Sequence, residues 1–118
     1  MQTAKEYLIE QGVKKEVAVE CEEIITALRY RIKRFGRTGL DRSQILMDMG
    51  RYRHTESRAV RTDAEVMRLL LDISLLVARF PDRFRILEHY DVLTFNLKSG
   101  EYQFTEFGTR FLEAGPVV

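Results

Sequence analysis

The chain has 118 residues, 45% of them apolar and 31% charged, with a formal net charge of +1. That length accommodates one domain, 1–118, whose core needs no disulfide or structural metal, and no stretch approaches the roughly 20 apolar residues of a membrane span. Cys21 is the only cysteine, which excludes a disulfide framework, and the absence of an apolar signal region after Met1 points to the cytoplasm rather than secretion.

Thr3 to Gln11 reads as a short helix with Ala4, Tyr7 and Leu8 on one side, Thr3 as N-cap with Glu6 three residues on, and Gly12 as its stop. From Lys14 to Phe35, apolar residues recur at Val17, Cys21, Ile24, Ile25, Leu28, Ile32 and Phe35, the spacing of a helix with one buried stripe. Cys21 falls on that stripe, where a free thiol behaves as a small hydrophobe. The helix charges are sorted, with Glu16, Glu20, Glu22 and Glu23 near the start and Arg29, Arg31, Lys33 and Arg34 near the end, which complements the helix dipole. Gly36 and Gly39 bracket a loop. A short helix is expected from Arg42 to Met49, capped by Asp41, with Ile45, Leu46 and Met49 inward and Gly50 as its end.

Arg51 to Arg61 has no sustained period and is the most polar part of the chain. Thr62-Asp63-Ala64-Glu65 is a capping-box sequence opening an apolar run to Phe80, ended by Pro81. Nearly every side of that helix is apolar, so it is expected to be central, packed on several sides, or to lie in a subunit interface. Phe84, Leu87 and Tyr90 recur by threes, giving two further helical turns over Asp82 to Tyr90. The period then changes to two: Leu93, Phe95 and Leu97, a turn at Lys98-Ser99-Gly100-Glu101, then Tyr102-Gln103-Phe104, a β-hairpin. Thr105 would cap a final helix carrying Phe107, Phe111 and Leu112.

The pattern predicts an α+β, mostly helical fold with a long N-terminal helix and one β-hairpin. Residues 1–61 form a helical part with a basic loop, and 62–118 form a helix, hairpin and terminal helix. The expected core is Val17, Ile24, Leu28, Ile32, Leu69, Leu70, Ile73, Leu76, Phe95, Phe104, Phe111 and Leu112.

The charge is segregated. Leu28 to Arg61 holds ten cations against Asp41, Asp48 and Glu56, a net +7, while each flank nets −3. Nine of the ten are Arg, whose planar fork matches phosphate oxygens. The candidate phosphate contacts are Arg29, Arg31, Lys33, Arg34, Arg37, Arg42, Arg51, Arg53, Arg58 and Arg61, with Tyr30, Tyr52 and His54 placed to stack on bases in a single-strand or RNA mode. The alternative is that these cations sit on solvated faces or pair with the acidic flanks on folding.

Tyr102-Gln103-Phe104-Thr105-Glu106-Phe107-Gly108 resembles the aromatic-x-Leu-Thr-x-x-Gly stretch with which many MarR-like and PadR-like winged-helix regulators leave the wing and enter the next helix, with Phe104 in the Leu place. The resemblance covers the C-terminal hairpin and helix. It implies a winged helix-turn-helix domain in which Phe104 fills the core, Thr105 caps the helix and Gly108 permits close packing. The helix before such a hairpin reads DNA, yet Asp63 to Phe80 is mostly apolar. Arg83 and Arg85 lie on the short segment after it, and the wing tip offers only Lys98. Contacts are therefore expected from the basic segment, to the backbone rather than to base edges.

Enzyme signatures are missing: there is no phosphate-cradling Gly loop, no Cys-x-x-Cys and no His-Glu-x-x-His. His54 and His89 have acidic near neighbours (Glu56 for one, Glu88 or Asp91 for the other), which is common by chance, and His54 with the surrounding Arg and Ser57 lacks a second positioned acid or a metal cluster, so no catalytic, metal or cofactor site is expected. The expected function is a non-enzymatic, regulatory binder of nucleic acid, duplex DNA first. A homodimer is expected through Asp63 to Phe80 or Lys14 to Phe35. The alternative is a protein-interaction module, an inhibitor or subunit of a larger nucleic-acid machine.

Overall fold

The computed structural model describes residues 1–53 and 62–114, without the side chains at positions 51–53, 69, 73, 76, 77 and 79. The fold is α+β and mostly helical. Its elements are α1 (Ala4–Glu10), α2 (Lys15–Phe35), α3 (Arg42–Arg53), α4 (Asp63–Arg79), α5 (Pro81–His89), β1 (Leu93–Asn96), β2 (Glu101–Phe104) and a 3-10 helix, Gly108–Leu112.

Local signals act where they stand in the sequence. Thr3 and Glu6 form a reciprocal capping box at α1, and the Glu6 carboxyl is held below its ordinary range by its hydrogen bonds to Thr3. Thr62 and Glu65 repeat the arrangement at α4, with bonds of 3.3 and 3.0 Å. The Asp41 carboxylate accepts from the Gln44 N–H at 2.8 Å at the start of α3. Helix α2 stops at Gly36, whose φ of 64° is left-handed and whose N–H donates to the Ile32 carbonyl.

Helix α2 is the centre of the molecule and packs against α1, α3 and α5. Cys21, Ile24, Ile25 and Leu28 of its expected stripe are fully buried, Val17 and Ile32 pack partly buried at the edge, and Phe35 is exposed. The core continues through Leu8, Ile45, Leu46, Met49, Phe80, Phe84, Leu87, Val92 and Phe111. The short α5 segment thus supplies two of the largest buried side chains together with the adjoining Phe80.

Three expectations are corrected. Helix α3 passes through Gly50 to Arg53: Met49 and Gly50 are buried, and that packing offsets the roughly 1 kcal/mol that glycine costs in a helix. Helix α4 is peripheral: it packs on α3 and α5, and Val66, Met67, Leu70, Leu71 and Leu75 remain 40–66% exposed. A run that is apolar all round cannot specify which side its neighbours cover. Leu70 therefore leaves the core; Phe95, on the hairpin, is also exposed, Phe104 and Leu112 are only partly buried, and the side chains of Leu69, Ile73 and Leu76 lie outside the description. Third, the last element is a 3-10 helix rather than an α-helix, although the Thr105 hydroxyl still accepts from the Gly108 N–H at 2.8 Å.

β1 and β2 pair antiparallel, Leu93 with Phe104 and Phe95 with Tyr102. Leu40, in the loop leaving α2, adds one residue to this sheet, exchanging two backbone hydrogen bonds with Tyr102 at 3.1 and 2.7 Å. Gly39 makes that approach possible, since a Cβ there would stand 2.7 Å from the Tyr102 carbonyl oxygen. The hairpin is thereby tied to the start of α3. Among the described residues, no helix is long and apolar enough to cross a membrane.

Candidate nucleic-acid interface

Folding gives the ten candidate cations different fates. Arg29, 5% exposed, is turned inward: Nη1 donates to the carbonyl oxygens of Phe111 and Ala114, Nη2 to the Thr26 hydroxyl at 3.1 Å, and Glu22 lies 3.7 Å away. It clamps the C-terminal segment onto α2, so its assignment as a phosphate contact is corrected. Burial pushes the Glu22 carboxyl up, against the Lys5 N–H and the Arg29 charge, which hold it down. Arg31 grips Asp48 with two bonds of 2.7 and 2.8 Å, joining α2 to α3, and Asp48 is itself buried. Releasing that bidentate pair would strand a buried carboxylate, so Arg31 also serves the fold.

Lys33 and Arg37 pair with Glu113 (2.8 Å) and Glu101 (3.0 Å), linking the end of α2 to the C-terminal segment and to β2. Exposed pairs of this kind are worth about 0.2–1 kcal/mol, so a phosphate can replace the carboxylate. Arg34 and Arg42 form no ion pair among the described residues. Arg51 and Arg53 lie in the last turn of α3 without described side chains, and Arg58 and Arg61 lie outside the described residues, as does His54. The side chain of Tyr52 is likewise outside the description, and Tyr30 packs edge-on against Phe35.

Arg42 sits where α3 meets the hairpin. Its guanidinium lies 5.2 Å over the Phe84 ring, and its Nε is buried with no acceptor. From Phe84 a run of rings leads outward, to Tyr102 at 4.6 Å and from Tyr102 to Phe95 at 5.0 Å. Burial raises the Tyr102 phenol, Glu88 adds to that, and Arg42 opposes it. Asp41, Arg42, Ser43, Phe95, Gly100 and Tyr102 line an open recess of about 450 Å³. The sequence held one signal of this site, Phe95 and Tyr102 on opposite strands of a predicted hairpin. Their meeting with Arg42 depends on the Leu40 bridge, which leaves no local trace.

Helix α5 precedes the hairpin, but Arg83 is tied to Glu20 at 2.9 Å, and exposed Arg85 stands 3.9 Å from Asp82. Cys21 is buried and its thiol is pushed up to about 12, chiefly by burial, so it is no nucleophile at neutral pH. Among the described residues, no three His, Cys, Asp or Glu side chains gather as metal ligands. No protein-family model, curated protein or solved structure matches this chain.

Proposed function

We propose that this protein is a non-enzymatic nucleic-acid binder in a regulatory role, contacting phosphates through the cations that the fold leaves without a carboxylate. The observation that carries the reading is Arg42, partly buried, free of any ion pair among the described residues and bordered by exposed aromatic surface. Arg34 joins it; Arg51, Arg53, Arg58 and Arg61 are added by sequence position alone, and Lys33 and Arg37 through their exchangeable pairs. Further support for a winged-helix arrangement comes from the hairpin and its exit. A Cβ at Gly108 would stand 1.9 Å from the Val92 carbonyl oxygen, the close packing that the resemblance implies.

Fluorescence anisotropy on random duplex, single-stranded DNA and RNA at two salt concentrations tests this reading. Binding is expected to weaken with salt, with a log-log slope of about −0.9 per neutralised phosphate on duplex and about −0.7 on single strands. Absence of binding to all three at low salt would overturn it.

The exposed side of α4 favours a second reading, a protein-association module, with a second copy of the chain as the partner. Met67, Leu71, Ser74 and Ala78, all exposed, recur by four, three and four along this side, the spacing of a helix-pairing seam. The Ser74 hydroxyl donates to the Leu70 carbonyl at 2.9 Å, so this hydroxyl in the seam is already satisfied. A two-fold axis across the seam sets like surface on like, and the antiparallel order aligns the helix dipoles favourably.

A further inference from the structure

We infer that the recess between the start of α3 and the hairpin holds one unstacked nucleotide, with its base on Phe95 and its phosphate on Arg42. This rests on the nucleic-acid reading and specifies the form recognised: a single strand, or the same nucleotide free in solution.

Three observations converge. Phe95 is 39% exposed, yet its ring packs against Tyr102 at a tilt of 51°, and Tyr102 packs in turn against Phe84. A ring already fixed in place loses little freedom when a base stacks on it, and any base offers a face to stack. Arg42 is the second. Arg31, Lys33 and Arg37 each found a carboxylate on folding, and Arg83, whose Nε is likewise buried without an acceptor, has its Nη2 held by Glu20. Among the described residues Arg42 has only the Phe84 ring, which leaves its charge free for an anion from outside.

The third observation is the rest of the lining. One Asp41 oxygen is occupied by the Gln44 N–H. The other can accept from an exocyclic amine or a ribose hydroxyl, and the Ser43 hydroxyl can donate or accept. One cation, one acceptor, one hydroxyl and an aromatic platform match the parts of a nucleotide, and about 450 Å³ falls within the range of small-ligand sites. The turn side is open, since nothing stands within 4 Å of where a Cβ at Gly100 would be. A duplex keeps its bases stacked inside and cannot present one to Phe95.

The test is anisotropy of labelled oligo(dT), oligo(U) and duplex DNA with the full chain and with Phe95→Leu, Phe95→Trp and Arg42→Gln, each checked for helical content by circular dichroism. In parallel, adenosine and uridine monophosphates are titrated while the Phe95 and Tyr102 ring resonances are followed by NMR. Wild type is expected to bind single strands more tightly than duplex. Phe95→Leu should weaken single-strand binding about ten-fold, within the worth of one base–aromatic stack, and Phe95→Trp should retain it. Arg42→Gln should weaken binding and reduce the salt slope by about 0.7, one phosphate. Ring shifts with monophosphates, with no binding of strand or duplex, would overturn the nucleic-acid reading and leave the site with the free nucleotide as its ligand. Strand binding untouched by Phe95→Leu and Arg42→Gln, or duplex bound as tightly as single strands, would overturn the inference while leaving the broader reading standing. No binding of strand, duplex or monophosphate would end both.

Discussion

Leu71→Glu on α4 tests the self-association reading most directly. Complete burial of a Leu, Val or Met side chain is worth about 1.5–3 kcal/mol, and Val66, Met67, Leu70, Leu71 and Leu75 each still have roughly half of that to gain, about 1 kcal/mol apiece. Ten such side chains across a two-fold interface give about 10 kcal/mol gross, set against an association cost of about 4–15 kcal/mol. At the low end of that cost the balance leaves about 6 kcal/mol, a dissociation constant of tens of micromolar. Leu71→Glu removes the Leu contribution on both copies and brings two like charges toward the seam. A loss of at least about 3 kcal/mol is expected, more than a hundred-fold in affinity. The folded monomer should be unaffected within about 0.5 kcal/mol, because Leu71 is 60% exposed there. Sedimentation equilibrium across the micromolar range, with urea unfolding as the stability control, reads both quantities. Wild type that stays monomeric at several hundred micromolar, or a Leu71→Glu variant that pairs as well as wild type, would refute the argument.

Gly108→Ala should destabilise the fold by about 1–3 kcal/mol or more, seen as a lower urea midpoint, since the added methyl would meet the Val92 carbonyl oxygen at 1.9 Å and backbone must move. Glu22 makes stability depend on pH with a definite sign. Its folded pKa lies above the ordinary 4.5, so the unfolded chain releases the proton first, and stability falls as pH rises from 4.5 through the folded value. Urea midpoints measured across that interval should decline in wild type and flatten in Glu22→Gln; a wild-type midpoint rising over the same interval would contradict this. Cys21 should resist iodoacetamide in the native protein and react once unfolded, as followed by mass spectrometry, because the thiol is buried and pushed up to about 12.

Features whose partners are close along the chain follow from the amino-acid sequence alone. Thr3 with Glu6, Asp41 with Gln44 and Thr62 with Glu65 are caps three residues wide, and each forms where its spacing predicts. The stripe of α2 and the alternation around Gly100 are likewise local periods, which makes the helix and the hairpin legible from residue spacing. The remaining features depend on how the chain closes. Arg29, Arg31, Lys33 and Arg37 look alike in sequence. Their fates depend on Ala114, Asp48, Glu113 and Glu101, which lie 17 to 85 residues away and come within bonding distance only when the chain closes around α2. The same holds for α4, whose apolar run marks burial without naming a neighbour, and for Arg42, which reaches the rings of Phe84, Tyr102 and Phe95 only because Leu40 ties the hairpin to α3. Caps and periods are set by energies acting within a turn or two, whereas ion-pair partners and exposed faces are set by which surfaces the whole chain brings together.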